Sequence, residues 1–338
     1  MSGISDLSAG PGLYPQKFDF ARDSAFLIAM GEADYRQASF LDDRILSPNT
    51  RGRWEPYAAV AHAMAAPAAA RPLHFILHSG HVGSTLLSRL LDETVRVLSL
   101  REPLPLRSFA EAYDAGATPH LDARLETFLR LWERGFASSE AVILKATSSA
   151  ARLAPRFLTA RPKARAVYLN LPAETYLATL LAGPNSPIDL NWHAAERVRR
   201  LHALVGENSF SVASLSLGEL AAMSWLAERL TQQAAMRQFG SRILALDFEQ
   251  LLREPAETIA TVVGHFEIAI APDYLANIAR SPVLTRYSKA PEHAYSPQLR
   301  SQLLAQARRD HAAELRKGLS FVEALAARHA GVAEVLLV

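Results

Sequence analysis

Between His74 and Glu93 the chain reads HFILHSGHVGSTLLSRLLDE, an apolar run that meets two glycines and then a helical pattern. Gly80 and Gly83 allow a turn in which a side chain would clash, and Ser84 and Thr85 open the helix. Unpaired amides at a helix start, reinforced by the positive end of the helix dipole, attract an anion. The turn formed by Gly80, His81, Val82, Gly83, Ser84 and Thr85 is therefore expected to cradle a phosphate or sulfate group. Leu86, Leu87, Leu90 and Leu91 continue at helical spacing, which holds the helix on a core and leaves its first turn to the ligand. A nucleotide triphosphatase loop carries G-x-x-x-x-G-K-[ST], whose lysine reaches the outer phosphates. Here only His81 and Val82 separate the glycines and Ser84 takes the lysine position, which disfavours ATP hydrolysis. A glycine turn before a core helix is the bland competitor.

The elements that must position this turn follow a βαβα order. Residues 74–78 form the strand before the turn, and residues 96–100 read as a second strand ending in Arg101, Glu102 and Pro103. A helix is expected over 120–137. The run AVILK at 141–145 fits a strand covered on both faces, with Lys145 at its carboxyl end. A helix over 149–160, a strand over 165–170 and a helix after Pro172 follow, and 242–247 is the last clear strand. Such an order predicts an α/β fold with a mostly parallel sheet of about five strands and helices on both faces. Ligands of parallel sheets lie beyond the carboxyl ends of the strands, where His81, Glu102, Lys145 and Asn170 all fall.

Length and composition set the limits. With 338 residues, 49% hydrophobic content and a net charge of +2, the chain can bury a large core but carries no strong field for duplex nucleic acid. The absence of cysteine removes thiol catalysis, disulfides and Cys-based metal sites. No long apolar run predicts a membrane span, and the first residues lack the order of a secretory signal, so a cytoplasmic location is expected. Residues 65–72 resemble a connector after an N-terminal flank or lid of residues 1–70. Residues 183–214 read as a substrate-side insertion, and 296–338 as a C-terminal helical segment.

The loop and its two following hydroxyl residues and leucines resemble the 5′-phosphosulfate loop of the sulfotransferase family, P-[RK]-[ST]-G-T-[TS]-L-L. Three later segments are similar to that family in the same order. Residues 143–172 resemble its strand ending in Lys, here Lys145, with the helix and strand beyond. Residues 242–268 resemble its V-L-x-Y-E-D-L-x-x-x-P segment through Asp247, Phe248, Glu249, Leu252 and Pro255. Residues 287–295, YSKAPEHAY, are like the C-terminal loop that closes over the nucleotide. The resemblance covers roughly residues 72–295 and implies a three-layer P-loop type fold, transfer from 3′-phosphoadenosine-5′-phosphosulfate (PAPS, leaving PAP) to a hydroxyl or amine acceptor, and no obligatory metal. It implies donor contacts from residues 80–85, with His81 and Lys145 flanking the reacting group and Glu102 as candidate base. Where the family grips the 3′-phosphate with Arg and Ser, this chain has Asn170 and Ala178, with Thr179 adjacent, and Arg286, Ser288 and Lys289 are the candidate substitutes.

Quieter expectations stand beside these. Lys145 would otherwise be a surface lysine at a strand end, and Glu102 a partner of Arg101 or Arg107. Arg197, Arg199 and Arg200 read as a solvated helix face. His78 and His81 lack a zinc-binding spacing, and Ser79 and Ser84 do not form G-x-S-x-G. A protein that binds a nucleotide without transfer is the alternative function, followed by an ATP-dependent phosphotransferase. No metal, nucleic acid or membrane partner is expected.

Overall fold

Parallel pairing begins where the anion turn was expected. The computed structural model describes residues 7–65, 70–116 and 120–336; part of the expected connector at 65–72 lies outside them. Among the described residues, eight strands form two sheets. Strands β1 (Leu13–Asp19), β2 (Ser24–Ala29) and β3 (Gly52–Pro56) make an antiparallel meander. Strands β4 (Leu73–His78), β5 (Val97–Arg101), β6 (Ala141–Lys145), β7 (Ala166–Asn170) and β8 (Ile243–Asp247) form the second sheet in the order β5-β6-β4-β7-β8, all parallel. This is the expected three-layer α/β architecture.

Alternation along each strand splits the core in two. On one face, Ile76, Ile143, Val167 and Leu169 pack with Leu87 and Leu91 of the helix Ser84–Asp92 and with the helices that follow β7. On the other, Phe75, Leu77, Val142, Leu144 and Tyr168 meet the helices Leu104–Ala115 and Leu121–Trp132 and the N-terminal meander. The meander is thus part of a packed layer, with the Phe18 ring parallel to that of Phe109 at 6.1 Å.

Two buried arginines fix that layer. Arg134 donates to the carbonyls of Leu7, Gly10 and Leu13 at 2.6, 2.6 and 2.9 Å. Arg101, at the end of β5, pairs with Asp92, donates to Ser88 Oγ at 2.9 Å, and reaches the carbonyls of Tyr35 and Ala38 at 3.1 and 2.8 Å. One guanidinium therefore joins the anion-turn helix, β5 and the N-terminal segment.

Several expectations are corrected here. The helix expected over 120–137 ends at Trp132, and that over 149–160 begins as a 3₁₀ segment, Ser148–Leu153, before Ala154–Ala160. The insertion is mainly one helix, Ser186–Val205, closed by Gly206 in the left-handed conformation. Arg197 and Arg200 do not form a solvated face. Arg197 lies 3.5 Å from the fully buried Glu228, which Arg200 also pairs with at 2.7 Å while binding Glu196 at 2.7 Å; only Arg199 is exposed. Helices Leu217–Phe239 and Ala312–Ala326 touch through their backbones, since a Cβ on Gly218 would stand 1.9 Å from the Glu314 carbonyl oxygen. No helix among the described residues is long and apolar enough to cross a membrane.

Candidate functional site

The turn after β4 is built from backbone that few residues tolerate. Gly80 and Gly83 have φ of 97° and 74°, and His81 between them is also left-handed at 55°. Gly83 has a second reason to be glycine, because a Cβ there would lie 2.0 Å from the Phe248 ring. Tyr176 donates from its hydroxyl to the Ser79 carbonyl at 2.9 Å and holds the turn from outside. The Gly80 amide donates to Nδ1 of His78 at 3.0 Å.

The remaining amides are free. Gly83 caps the helix Ser84–Asp92 without a side-chain bond, and no acceptor among the described residues meets the amides of His81 to Leu86. Thr85 Oγ1 is buried without a partner in the same turn. These groups line one wall of a cavity of about 620 Å³. Its other walls come from Thr179, from residues 182–186, from Phe248 and from residues 286–289, together with Leu299, Arg300 and Leu303. An unpaired donor set of this kind, with Arg286 and Lys289 on the same cavity, suits an oxyanion, whereas Arg300 is engaged by Glu249 at 2.6 and 3.1 Å.

The loop at 286–295 is tied over the turn helix. Arg89 donates from Nε to the Ser288 carbonyl at 2.8 Å and from Nη2 to Ser39 Oγ at 2.8 Å, so both the loop and the N-terminal segment hang on one side chain. Arg286 donates to the Pro291 carbonyl at 3.0 Å, while its segment bridges back to Ala294.

Beside the cavity, at the carboxyl ends of β4, β5 and β6, three groups converge. Lys145 is fully buried and its ammonium pairs with the Glu102 carboxylate. The strand register brings them together, because Arg101 opposes Lys145 and the Glu102 amide donates to the Lys145 carbonyl at 2.8 Å. Glu102 turns back through a left-handed φ of 53°, a conformation that costs a non-glycine residue about 1–3 kcal/mol. Its partner is neither Arg101 nor Arg107. His78 completes the group, with Nε2 3.8 Å from Glu102 Oε1.

Burial opposes the charge on Glu102, but the Lys145 ammonium, helped by the neighbouring His78 and by Lys289, outweighs it and pulls the carboxyl down to about 2. Burial drives Lys145 down to about 8 against the pull of Glu102. His81 is pushed down to about 4, by burial first and then by Lys289, so it is neutral at pH 7. A charge change that an exposed histidine would undergo near neutrality is thereby moved into acid.

Of the residues singled out in the sequence, His81, Val82, Gly83, Ser84, Thr85, Thr179, Arg286, Ser288 and Lys289 line the cavity. Gly80 shapes the turn from behind. Glu102 and Lys145 meet each other but do not line the cavity, and Asn170 is also outside it, its Nδ2 3.4 Å from the Tyr168 carbonyl and its Oδ1 without a partner. Ala178 is buried in the helix Ala173–Ala182. Thr179 Oγ1 donates to the Thr175 carbonyl at 2.7 Å. Sequence reasoning missed His78, Arg89 and Arg300 as parts of this region; the histidine closing an apolar strand was the one signal available. Among the described residues, no group of three or more His, Cys, Asp or Glu side chains is arranged to hold a metal ion.

No family model and no curated protein sequence matches the chain. Among solved structures it is similar to the sulfotransferase domain from the curacin biosynthetic pathway, at 12% identity and TM-score 0.42, over 72% of this chain and 99% of that one. Sulfotransferase STF1 from Mycobacterium tuberculosis is similar at 14% identity and TM-score 0.41, over 76% of this chain and 82% of that one. Mouse sulfotransferase SULT7A1, solved with PAP, is similar at 12% identity and TM-score 0.31, over 66% and 68% of the two chains.

Proposed function

We propose that this chain is a sulfotransferase-like enzyme that moves a sulfuryl group from PAPS to a hydroxyl or amine acceptor. The observation that carries it is the run of free amides from His81 to Leu86, with the orphan hydroxyl of Thr85, on the wall of a cavity large enough for a nucleotide. Those donors fit the 5′-phosphate end of such a donor. When bound, the donor supplies a sulfuryl group on a phosphate leaving group.

The chain's own residues then have distinct tasks. The loop amides and Thr85 hold negative charge as it grows on the leaving oxygen, the kind of fixed donor whose removal slows chemistry by about 10²- to 10³-fold. Neutral His81 adds a hydrogen bond without a full charge. Arg286, Ser288 and Lys289 stand in for the missing Arg and Ser of the family's 3′-phosphate grip, since Asn170 and Ala178 do not reach the cavity. Lys145 offers a positive charge to the reacting end, with Glu102 as its fixed counter-ion. A carboxyl drawn to about 2 is a weak base, so Glu102 can accept an acceptor proton only once Lys145 has turned to another anion.

Calorimetric titration with 3′,5′-ADP and with the donor tests this reading. Binding of either below millimolar concentration supports it, and failure of both overturns it. The same diverted Asn170 and Ala178 favour a second reading, a nucleotide-binding protein without transfer; it predicts 3′,5′-ADP binding and no product across a broad acceptor panel.

A further inference from the structure

His78 is buried, closes β4, and takes part in two sets of contacts at once. Its Nδ1 accepts the Gly80 amide at 3.0 Å, which fixes that nitrogen as the unprotonated one. The proton of the neutral ring must then sit on Nε2. That atom is buried without a hydrogen-bond partner and lies 3.8 Å from Glu102 Oε1. A shift of under about 1 Å would bring it into hydrogen-bond range. Lys145, Lys289 and the Ala146 backbone are the other groups that act on the ring. A doubly protonated ring would set an N–H against the Gly80 N–H, so the turn geometry opposes the cation, against the pull of Glu102 and of the Ala146 backbone.

We propose that His78 is a positioning residue that couples the anion loop to the Glu102–Lys145 pair, holding the Gly80 amide through Nδ1 and closing Nε2–H onto Glu102 when the loop takes an anion. The inference rests on the function proposed above for what the loop binds, but its geometry stands on the chain alone. Loop and ion pair then respond as one unit. An anion drawn into the turn pulls on Gly80, the ring follows, and Glu102 gains a donor that loosens its hold on Lys145.

Two amide substitutions separate the two ends of the ring. In His78→Asn the side-chain oxygen can replace Nδ1, and in His78→Gln the amide can replace Nε2 but leaves Gly80 without its acceptor. Stranding a buried donor is costly, so His78→Gln is expected to weaken 3′,5′-ADP binding by roughly tenfold or more, while His78→Asn, which keeps the Gly80 acceptor and loses only the Nε2–H contact, weakens it by less. Imidazole ¹⁵N NMR on the full chain should give His78 as the neutral Nε2–H form at every pH from about 5 to 8. Addition of 3′,5′-ADP should move the Nε2 proton downfield, and Glu102→Gln, whose amide oxygen is a weaker acceptor than a carboxylate, should shrink that move. An Nδ1–H or charged ring in the wild type overturns the proposal, as do equal affinities in the two variants. If wild type binds no 3′,5′-ADP, the proposed function falls, and slow Gly80 amide exchange kept in His78→Asn but lost in His78→Gln still decides the role of His78. Should either variant fail to fold, the wild-type ring state and the response of its Nε2 proton to 3′,5′-ADP remain decisive, and no response overturns the coupling.

Discussion

Glu102 and Lys145 sit at the ends of neighbouring strands, bonded through their backbones at 2.8 Å and through their side chains as a buried ion pair. Each depends on the other for its charge. A lysine with no exposure keeps its proton near neutrality because a carboxylate is fixed against it, and that carboxylate resists protonation because the lysine is there.

Removing the carboxylate leaves Lys145 with burial alone. Glu102→Gln is therefore expected to lower the Lys145 pKa below its value of about 8, so that the ammonium is lost at a lower pH. The chain has only five lysines, which makes side-chain NMR titration a direct measure. An unchanged or raised midpoint would contradict the pairing.

Gly83→Ala places a methyl group into the Phe248 ring and asks alanine to hold φ at 74°. Both effects oppose the turn. The variant should lose more than about 1 kcal/mol of stability, and its 3′,5′-ADP affinity should fall further than the stability loss explains. Urea unfolding and calorimetry read the two quantities; an alanine variant with wild-type values in both would show that the turn tolerates a side chain.

Acid should destabilise the folded chain before its carboxylates titrate. His74, stacked on Phe266 at 5.0 Å, and His81 are both pushed down by burial to about 4. The unfolded chain takes up these protons near pH 6.5 and the folded one near 4, so stability falls as pH drops through that window. Denaturant midpoints measured from pH 7 to pH 4 check the sign. Replacing His74 with Phe should flatten part of the slope.

Gly218 and Gly318 set the distance between two helices. Alanine at either position must push backbone from backbone, because its Cβ would stand 1.9 Å from the Glu314 oxygen or 2.5 Å from the Gly218 oxygen. A loss of about 1–3 kcal/mol is expected for each, with the pair costing less than the sum, since one separation relieves both. Urea melts of the two single variants and the double variant give the coupling.

Much of the parallel sheet was legible because its strands are short apolar runs bounded by clear breaks, and the turn because glycine spacing reports directly on backbone conformation. The buried side of Lys145 was legible too, from the four apolar residues before it. Other features depended on partners far along the chain. Nothing local marks Arg197 and Arg200 as buried until Glu228, some thirty residues later, is packed against them. The failure of Asn170 to reach the cavity is equally invisible, since it depends on where its side chain turns after the strand ends. The antiparallel meander was read only as an ordered flank, because its apolar residues alternate weakly and its partner surface is another layer.

The guanidinium groups of Arg101 and Arg134 have a practical consequence for anyone trimming this protein. Excising the first seventy residues to obtain a minimal unit around the parallel sheet would strand hydrogen-bond donors of two buried cations, each lost acceptor costing about 1–3 kcal/mol. The shortened polypeptide would also take away Ser39, on which Arg89 leans. What resembles an appendage in the order of the chain is a keystone in three dimensions, and the oxyanion turn inherits its rigidity from residues that never approach a ligand.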